Sequence, residues 1–152
     1  MDNNFKIFLK CDISGIQSFI FNVPSQGAAK ELKRRSIFVE EISKKCLSEL
    51  KDFFKGDSVE ELYNGGGNFY LDISTKKNRK EIDNEVDRIQ KPYLESDIFP
   101  YISFIEKNSD EIGVLLMDVN RSMQKQKMQR PLSYNLINAT PIRVPDFNVN
   151  EI

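Results

Sequence analysis

The sequence predicts an α+β fold of the ferredoxin-like (split βαβ) type with an additional C-terminal helix. Three observations carry that prediction. Period-two alternation marks four short strands, and three- and four-residue apolar spacing marks three helices. The segments follow one another as strand, helix, strand, strand, helix, strand before the last helix, which is the split βαβ order.

Phe5, Ile7, Leu9, Cys11 and Ile13 take alternate positions with Lys6, Lys10, Asp12 and Ser14 among the residues between them. That pattern is a strand with one buried face, and it puts Asp12 and Ser14 on the polar one. The apolar residues from Phe19 to Pro24 read as a connection lying over the core. A long helix is expected from Ala28 to Phe54, with Leu32, Val39, Ile42, Cys46, Leu50 and Phe53 along one stripe and Gly56-Asp57 closing it. Strands at Val59–Tyr63 and Asn68–Ser74 flank Gly65-Gly66-Gly67, a hairpin by period and by turn chemistry. A charged helix over Asn78 to Leu94 turns Ile82, Val86, Ile89 and Tyr93 inward, and a strand follows at Tyr101–Lys107. The third helix, Asp110 to Gln129, has Ile112, Leu116, Val119 and Met123 as its stripe. Its basic end (Lys125, Lys127, Arg130) suits the negative pole of the helix dipole, and Pro131 stops it. Residues 1–130 form one domain on this reading, and 131–152 an extended tail with a candidate strand at Ile142–Val144. The first two long helices are expected on one face of the sheet, leaving the opposite face exposed.

Composition narrows the function. Twenty-two basic residues balance 23 acidic ones, so no net field draws the chain to nucleic acid or membrane. Histidine is absent and only Cys11 and Cys46 are present, which removes Ser-His and Cys-His catalysis and leaves no ligand set for structural zinc. Both cysteines read as small core residues. No apolar run approaches the roughly twenty residues that cross a bilayer, and the N-terminal MDNNFK lacks the form of a signal peptide. A cytoplasmic protein without a membrane partner is expected.

The chemistry concentrates in two glycine-bearing turns, Asp12-Ile-Ser-Gly-Ile-Gln-Ser-Phe-Ile-Phe21 and Tyr63-Asn-Gly-Gly-Gly-Asn-Phe69. Glycine lets main-chain N–H groups approach a phosphate or a base with no side chain between them. Ser14, Gly15 and Gln17 are candidates to bond a base edge or a ribose, and the Gly65, Gly66 and Gly67 amides to cradle phosphate. Three consecutive glycines exceed the one or two that a hairpin needs. Asn68 reads equally as a turn former or a ligand donor. Asp12 stays open between a strand-end cap, a metal ligand and a polar contact to nucleotide or partner. The run Lys30, Lys33, Arg34, Arg35 lies near a helix start, where the dipole disfavours cations, and is either a solvated face or a phosphate contact.

Those two turns, together with Gly27-Ala-Ala-Lys-Glu-Leu-Lys-Arg-Arg-Ser36 between them, resemble the first palm domain of the large polymerase/cyclase subunit of type III CRISPR effector complexes. The resemblance covers roughly residues 5 to 130. It implies a ferredoxin-like palm that faces a second palm, with ATP bound between the two and cyclic oligoadenylate as the product that signals foreign RNA. It also adds Arg35 and Ser36 to the nucleotide-binding candidates, ATP as cofactor with Mg²⁺ as a further candidate, and other effector subunits and their RNA as partners. The chain departs from the family at three points: one palm instead of two, no HD nuclease segment, and Gly-Gly-Gly-Asn where the catalytic palm has Gly-Gly-Asp-Asp.

A two-metal polymerase site needs carboxylates converging on ions about 3.5–4 Å apart. Gly67 and Asn68 stand where these would be, and Asp72 lies about 13 Å along the strand. Three functions are therefore set against one another. The chain is a nucleotide-binding, non-catalytic half of a cyclic-oligoadenylate synthase, an assembly module that binds no nucleotide, or a self-sufficient homodimeric nucleotidyl cyclase.

Overall fold

The computed structural model describes residues 3–23 and 25–130. The expected tail and its strand at 142–144 lie outside the described residues. The elements are β1 (Phe5–Ser14), α1 (Ile16–Phe21), α2 (Ala28–Phe53), β2 (Ser58–Gly65), β3 (Asn68–Thr75), α3 (Arg79–Gln90), β4 (Phe99–Glu106) and α4 (Ile112–Arg130). A 3-10 turn at Lys91–Tyr93 extends α3, so the charged helix ends earlier than its apolar stripe implied. The four strands form one sheet in the order β2-β3-β1-β4 with every neighbouring pair antiparallel. That is the ferredoxin-like arrangement.

Alternation along β1 feeds two cores. Ile7, Leu9 and Cys11 are fully buried against Val39, Ile42 and Cys46 of α2 and the inner stripe of α3. Cys11 and Cys46 are free thiols in that core, and burial first, then the neighbouring Cys46, pushes the Cys11 thiol well up. Both act as small apolar side chains, as expected.

The second core corrects an expectation. The face opposite α2 and α3 is not left open, because α4 lies across β1 and β4 there. Phe8 packs with Leu115 and Val119, and Met123 closes over Phe99 and Tyr101. The buried stripe of α4 is thus 115, 119 and 123, whereas Ile112, expected inside, is 53% exposed. Polar ties accompany the packing: the Lys10 Nζ donates to Asn120 Oδ1 at 2.7 Å, and the hydroxyls of Ser103 and Ser122 are 2.6 Å apart.

A second departure is α1. Phe19 to Phe21, read as part of an irregular connection, belong to a six-residue helix that starts directly after β1. Gly15 makes that reversal with φ +87, and a Cβ there would stand 2.2 Å from the Asp97 carbonyl oxygen.

At the other end of the sheet, Asp57 joins the α2–β2 loop to the β3–α3 loop. Its Oδ2 accepts from the Thr75 hydroxyl at 2.8 Å and from Lys77 Nζ at 3.1 Å. Burial works to raise the Asp57 carboxyl, yet these hydrogen bonds more than offset it and hold the group below its ordinary value. A lowered carboxylate contributes stability above its unfolded pKa and loses it as pH falls through the folded value. Asp57→Ala leaves the Thr75 hydroxyl, which is fully buried, without its acceptor. Urea unfolding at pH 7 is expected to show a loss of about 1–3 kcal/mol, and the gap to the parent should narrow as the pH drops below the carboxylate range, where the contribution of the Asp57 charge is lost.

Candidate functional site

Two of the three consecutive glycines are required by the turn itself. Gly65 pairs with Asn68, so Gly66 and Gly67 are the central residues of a two-residue hairpin loop, with φ of +61° and +82°. Positive φ at both positions is the type I′ geometry whose twist matches antiparallel strands, and glycine adopts it without steric cost. Gly67 is constrained a second time: a Cβ would lie 2.5 Å from Ile16 Cδ1. The turn therefore closes directly on α1. Gly65 has no positive φ, and of the three it is the one that turn geometry does not call for.

Behind the turn lies a cavity of about 470 Å³ bounded by three walls. α1 supplies Ile16 and Ile20, α2 supplies Ser36, Val39 and Ser43, and the hairpin supplies Asn64 to Gly67. Its size lies in the range of small-molecule sites. Glu40 and Lys44 also line it; Lys44 Nζ lies 3.9 Å from Glu40 and 3.6 Å from Glu41. One wall is apolar, another offers hydroxyls, and the third is bare backbone.

The expected site residues divide over this geometry. Ser36, Gly65, Gly66 and Gly67 meet in the cavity. Half-buried Ser14 and exposed Gly15 and Gln17 lie where β1 passes into α1. Asn68 faces Asp12 across the β1–β3 ladder, and the Ile13 N–H donates to the Gly67 carbonyl at 2.9 Å. β1 and the glycine hairpin are thus neighbours at the same end of the sheet.

Asp12 points to the other face, where it is ion-paired with Lys127 of α4, and the Lys127 ammonium stands 5.7 Å from the centre of the Tyr101 ring. Lys127 therefore serves Asp12 as well as the helix terminus it was assigned to. The residues present do not fit a metal centre: among the described residues no three carboxylates or cysteines converge, and Asp12 already has a cation.

Arg35 is not among the cavity's lining residues. Its guanidinium donates to the main-chain carbonyls of Phe19 at 2.7 Å and Asn22 at 2.8 Å, and to Glu31 at 3.0 Å. The Arg35 hydrogen bond holds the Glu31 carboxyl below its ordinary value, with Arg34 adding to the effect.

Sequence reasoning missed α1 and with it Ile16 and Ile20. It also passed over Ser43, although Ser36, Val39 and Ser43 recur at helical spacing beside the apolar stripe of α2.

A sequence profile of the Csm1 subunit domain B matches residues 6–139. The chain belongs to the Csm1 domain B family. The CRISPR system single-strand-specific deoxyribonuclease Cas10/Csm1 (subtype III-A) of Streptococcus thermophilus is 37% identical over 70 residues, 46% of this chain and 9% of that protein. Its counterpart in Mycobacterium tuberculosis is 37% identical over 83 residues, 53% of this chain and 10% of its own. The Csm1 domain B fold also recurs in solved structures. An apo Csm1–Csm4 cassette superposes with a TM-score of 0.66 at 19% identity, over 88% of this chain and 20% of that one. A cassette in complex with cA3 gives 0.64 at 22%, over 82% and 19%. One in complex with AMPPNP gives 0.60 at 22%, over 86% and 19%. The chain spans about a tenth of the length of the curated relatives and about a fifth of the solved chains.

The two turn glycines differ in what surrounds them, since a Cβ at Gly66 meets nothing within 4 Å. Gly66→Ala should cost about 1–2 kcal/mol for left-handed backbone alone. Gly67→Ala should cost more, because Ile16 must also move. Thermal melts of the two variants check the order, and equal losses would contradict the turn–α1 contact.

Proposed function

We propose that this Csm1 domain B is a nucleotide-binding, non-catalytic palm half of a cyclic-oligoadenylate synthase in CRISPR antiviral defence. The observation that carries the reading is the cavity behind the hairpin, where a glycine not needed by the turn, Gly65, puts bare backbone beside an apolar wall and two serine hydroxyls. An adenine ring suits Ile16, Ile20 and Val39, the hydroxyls of Ser36 and Ser43 suit ring nitrogens or ribose, and the turn amides suit phosphate. In this reading ATP enters from the open side at Gly66, and Ser14, Gly15, Gln17 and Asn68 form the adjoining rim. Asp12 belongs to the fold through Lys127, Arg35 stands behind the cavity, and Mg²⁺ is not held by this chain's residues. The Csm1 domain B family and the solved cassettes with AMPPNP and cA3 support the assignment.

Synthesis then requires a second palm that brings the metal-holding carboxylates, because phosphoryl transfer depends on metal electrostatics and positioning that this hairpin does not supply. The partner palm completes a site of which this chain is one wall, with further CRISPR effector subunits around the pair in the cytoplasm. A half-site buries little of an ATP, so affinity of the chain alone should be on the order of a millimolar.

Titration of the chain with ATP, followed by NMR, is expected to shift resonances of the hairpin, α1 and α2. Gly66→Asp, whose backbone aspartate tolerates, should weaken ATP by about tenfold through charge repulsion. The chain incubated with ATP and Mg²⁺ should form no oligoadenylate. Shifts confined to other regions, or turnover that survives purification, would overturn the reading.

A further inference from the structure

The cavity has one wall that cannot stand by itself. α1 is six residues long, far below the length at which a helix is stable in water, and it ends on Asn22, with no left-handed glycine at its C-cap. Phe19, Ile16 and Ile20 pack it on the core, and the side-chain hydrogen bonds that hold its end come from one residue. Nη1 of Arg35 donates to the carbonyls of both Phe19 and Asn22, the end of α1 and the residue that follows. The guanidinium carbon stands 5.0 Å from the Phe19 ring centre, and that ring leans on Phe38 with centroids 5.8 Å apart. Nε is held from behind by Glu31, one turn earlier on α2. Arg35 is thus fixed at both ends, to α2 through Glu31 and to α1 through two carbonyls and an aromatic face. Ile16 and Ile20, which α1 presents to the cavity, sit on the element this clamp holds.

We propose that Arg35 is a positioning residue for the nucleotide: it sets how often α1 is docked as the cavity wall, and so sets affinity, without touching the ligand. This rests on the reading of the cavity given above. If binding requires docked α1, apparent affinity falls in proportion to the docked fraction, whatever part of the nucleotide is presented. An arginine that touched phosphate would instead matter more with each phosphate added. The two roles therefore predict different patterns across one ligand series.

The experiment titrates the parent chain, Arg35→Ala and Arg35→Lys with adenosine, AMP and ATP by NMR, and measures amide hydrogen exchange over 16–22 with and without ATP. Arg35→Ala is expected to weaken adenosine and ATP by the same factor, about three- to tenfold. Exchange in α1 should accelerate while that of β1 and β3 is unchanged, and ATP should slow α1 exchange by the factor 1 + [ATP]/Kd, with Kd that of the docked state, as linkage demands. Arg35→Lys should not rescue, because an ammonium lacks the fork and the planar face that make these contacts. Glu31→Gln, a milder variant, should move both readouts in the same direction by less. A loss that grows from adenosine to ATP, rescue by lysine, or unaltered exchange in α1 would each overturn the proposal. Should the parent bind neither adenosine nor ATP, the reading of the cavity fails, and the exchange data still decide whether Arg35 holds α1.

Discussion

The register of β1 is the constraint on which the rest of the molecule depends. β1 has a partner on both sides, β3 and β4, and residues at its centre are buried on both faces: Ile7, Phe8 and Leu9 are each 0% exposed. A slip by one residue would send Lys10 and Asp12 into the α2–α3 core and Cys11 and Ile13 out under α4. Burying two charges without partners costs several kcal/mol apiece, so one register is selected. That register sets Asp12 opposite Asn68, brings the Ile13 amide to Gly67 and aligns the end of β1 with the glycine hairpin. The walls of the cavity inherit their positions from this alignment.

The same register explains why the face opposite α2 and α3 is closed by a helix with mixed contacts. Even positions of β1 carry Phe8, Lys10 and Asp12, one apolar residue and two charges in a row. Only a helix that is apolar at one end of its contact and polar further along can cover such a strip. α4 answers each in turn, Leu115 and Val119 over Phe8, Asn120 on Lys10, Lys127 on Asp12. Each polar tie removes a charge from water and replaces the lost hydration with a partner, which makes the pairing a condition of packing more than a source of stability. Asp12 is consequently a member of the β1–α4 interface.

The strands, the long helices and the hairpin were legible in the sequence because each repeats one period over many residues, and because a two-residue turn of positive φ has a narrow residue preference. On α4 the expected Leu116, Val119 and Met123 do face the sheet, while Ile112 was wrongly included and Leu115 left out because both satisfy helical spacing with that stripe; deciding between them takes the position of Phe8, which no local pattern contains. α1 was missed for a different reason. Six residues hold too few turns to show periodicity, and its stabilising partner, Arg35, is 13 to 16 residues away on another helix. The glycine triplet was recognised as more than a turn needs, yet which glycine is in excess becomes clear only from the φ values. Ser36 entered through the family resemblance, whereas Ser43 escaped notice because a serine beside the apolar stripe of a helix carries no distinguishing local signal.

The basic run at the start of α2 is where a local rule fails and tertiary structure supplies the reason. Cations in the first turns of a helix oppose its dipole, so Lys30, Lys33, Arg34 and Arg35 together look unfavourable on α2 considered alone. In the folded chain the end of α1 comes to rest beside that segment, and a helix C-terminus presents unpaired carbonyls and the negative pole of its own dipole. Arg35 takes two of those carbonyls, while Glu31 takes Arg34 and Arg35 from within α2. The carbonyl and carboxylate oxygens that Arg35 gathers outweigh the repulsion from α2's own amides, because hydrogen bonds to a charged donor are roughly twice as strong as neutral ones. A cation misplaced for one helix is thereby correctly placed for the pair. Together with the burial of Phe19 in the core, that placement gives the short α1 a partner at its C-terminal end.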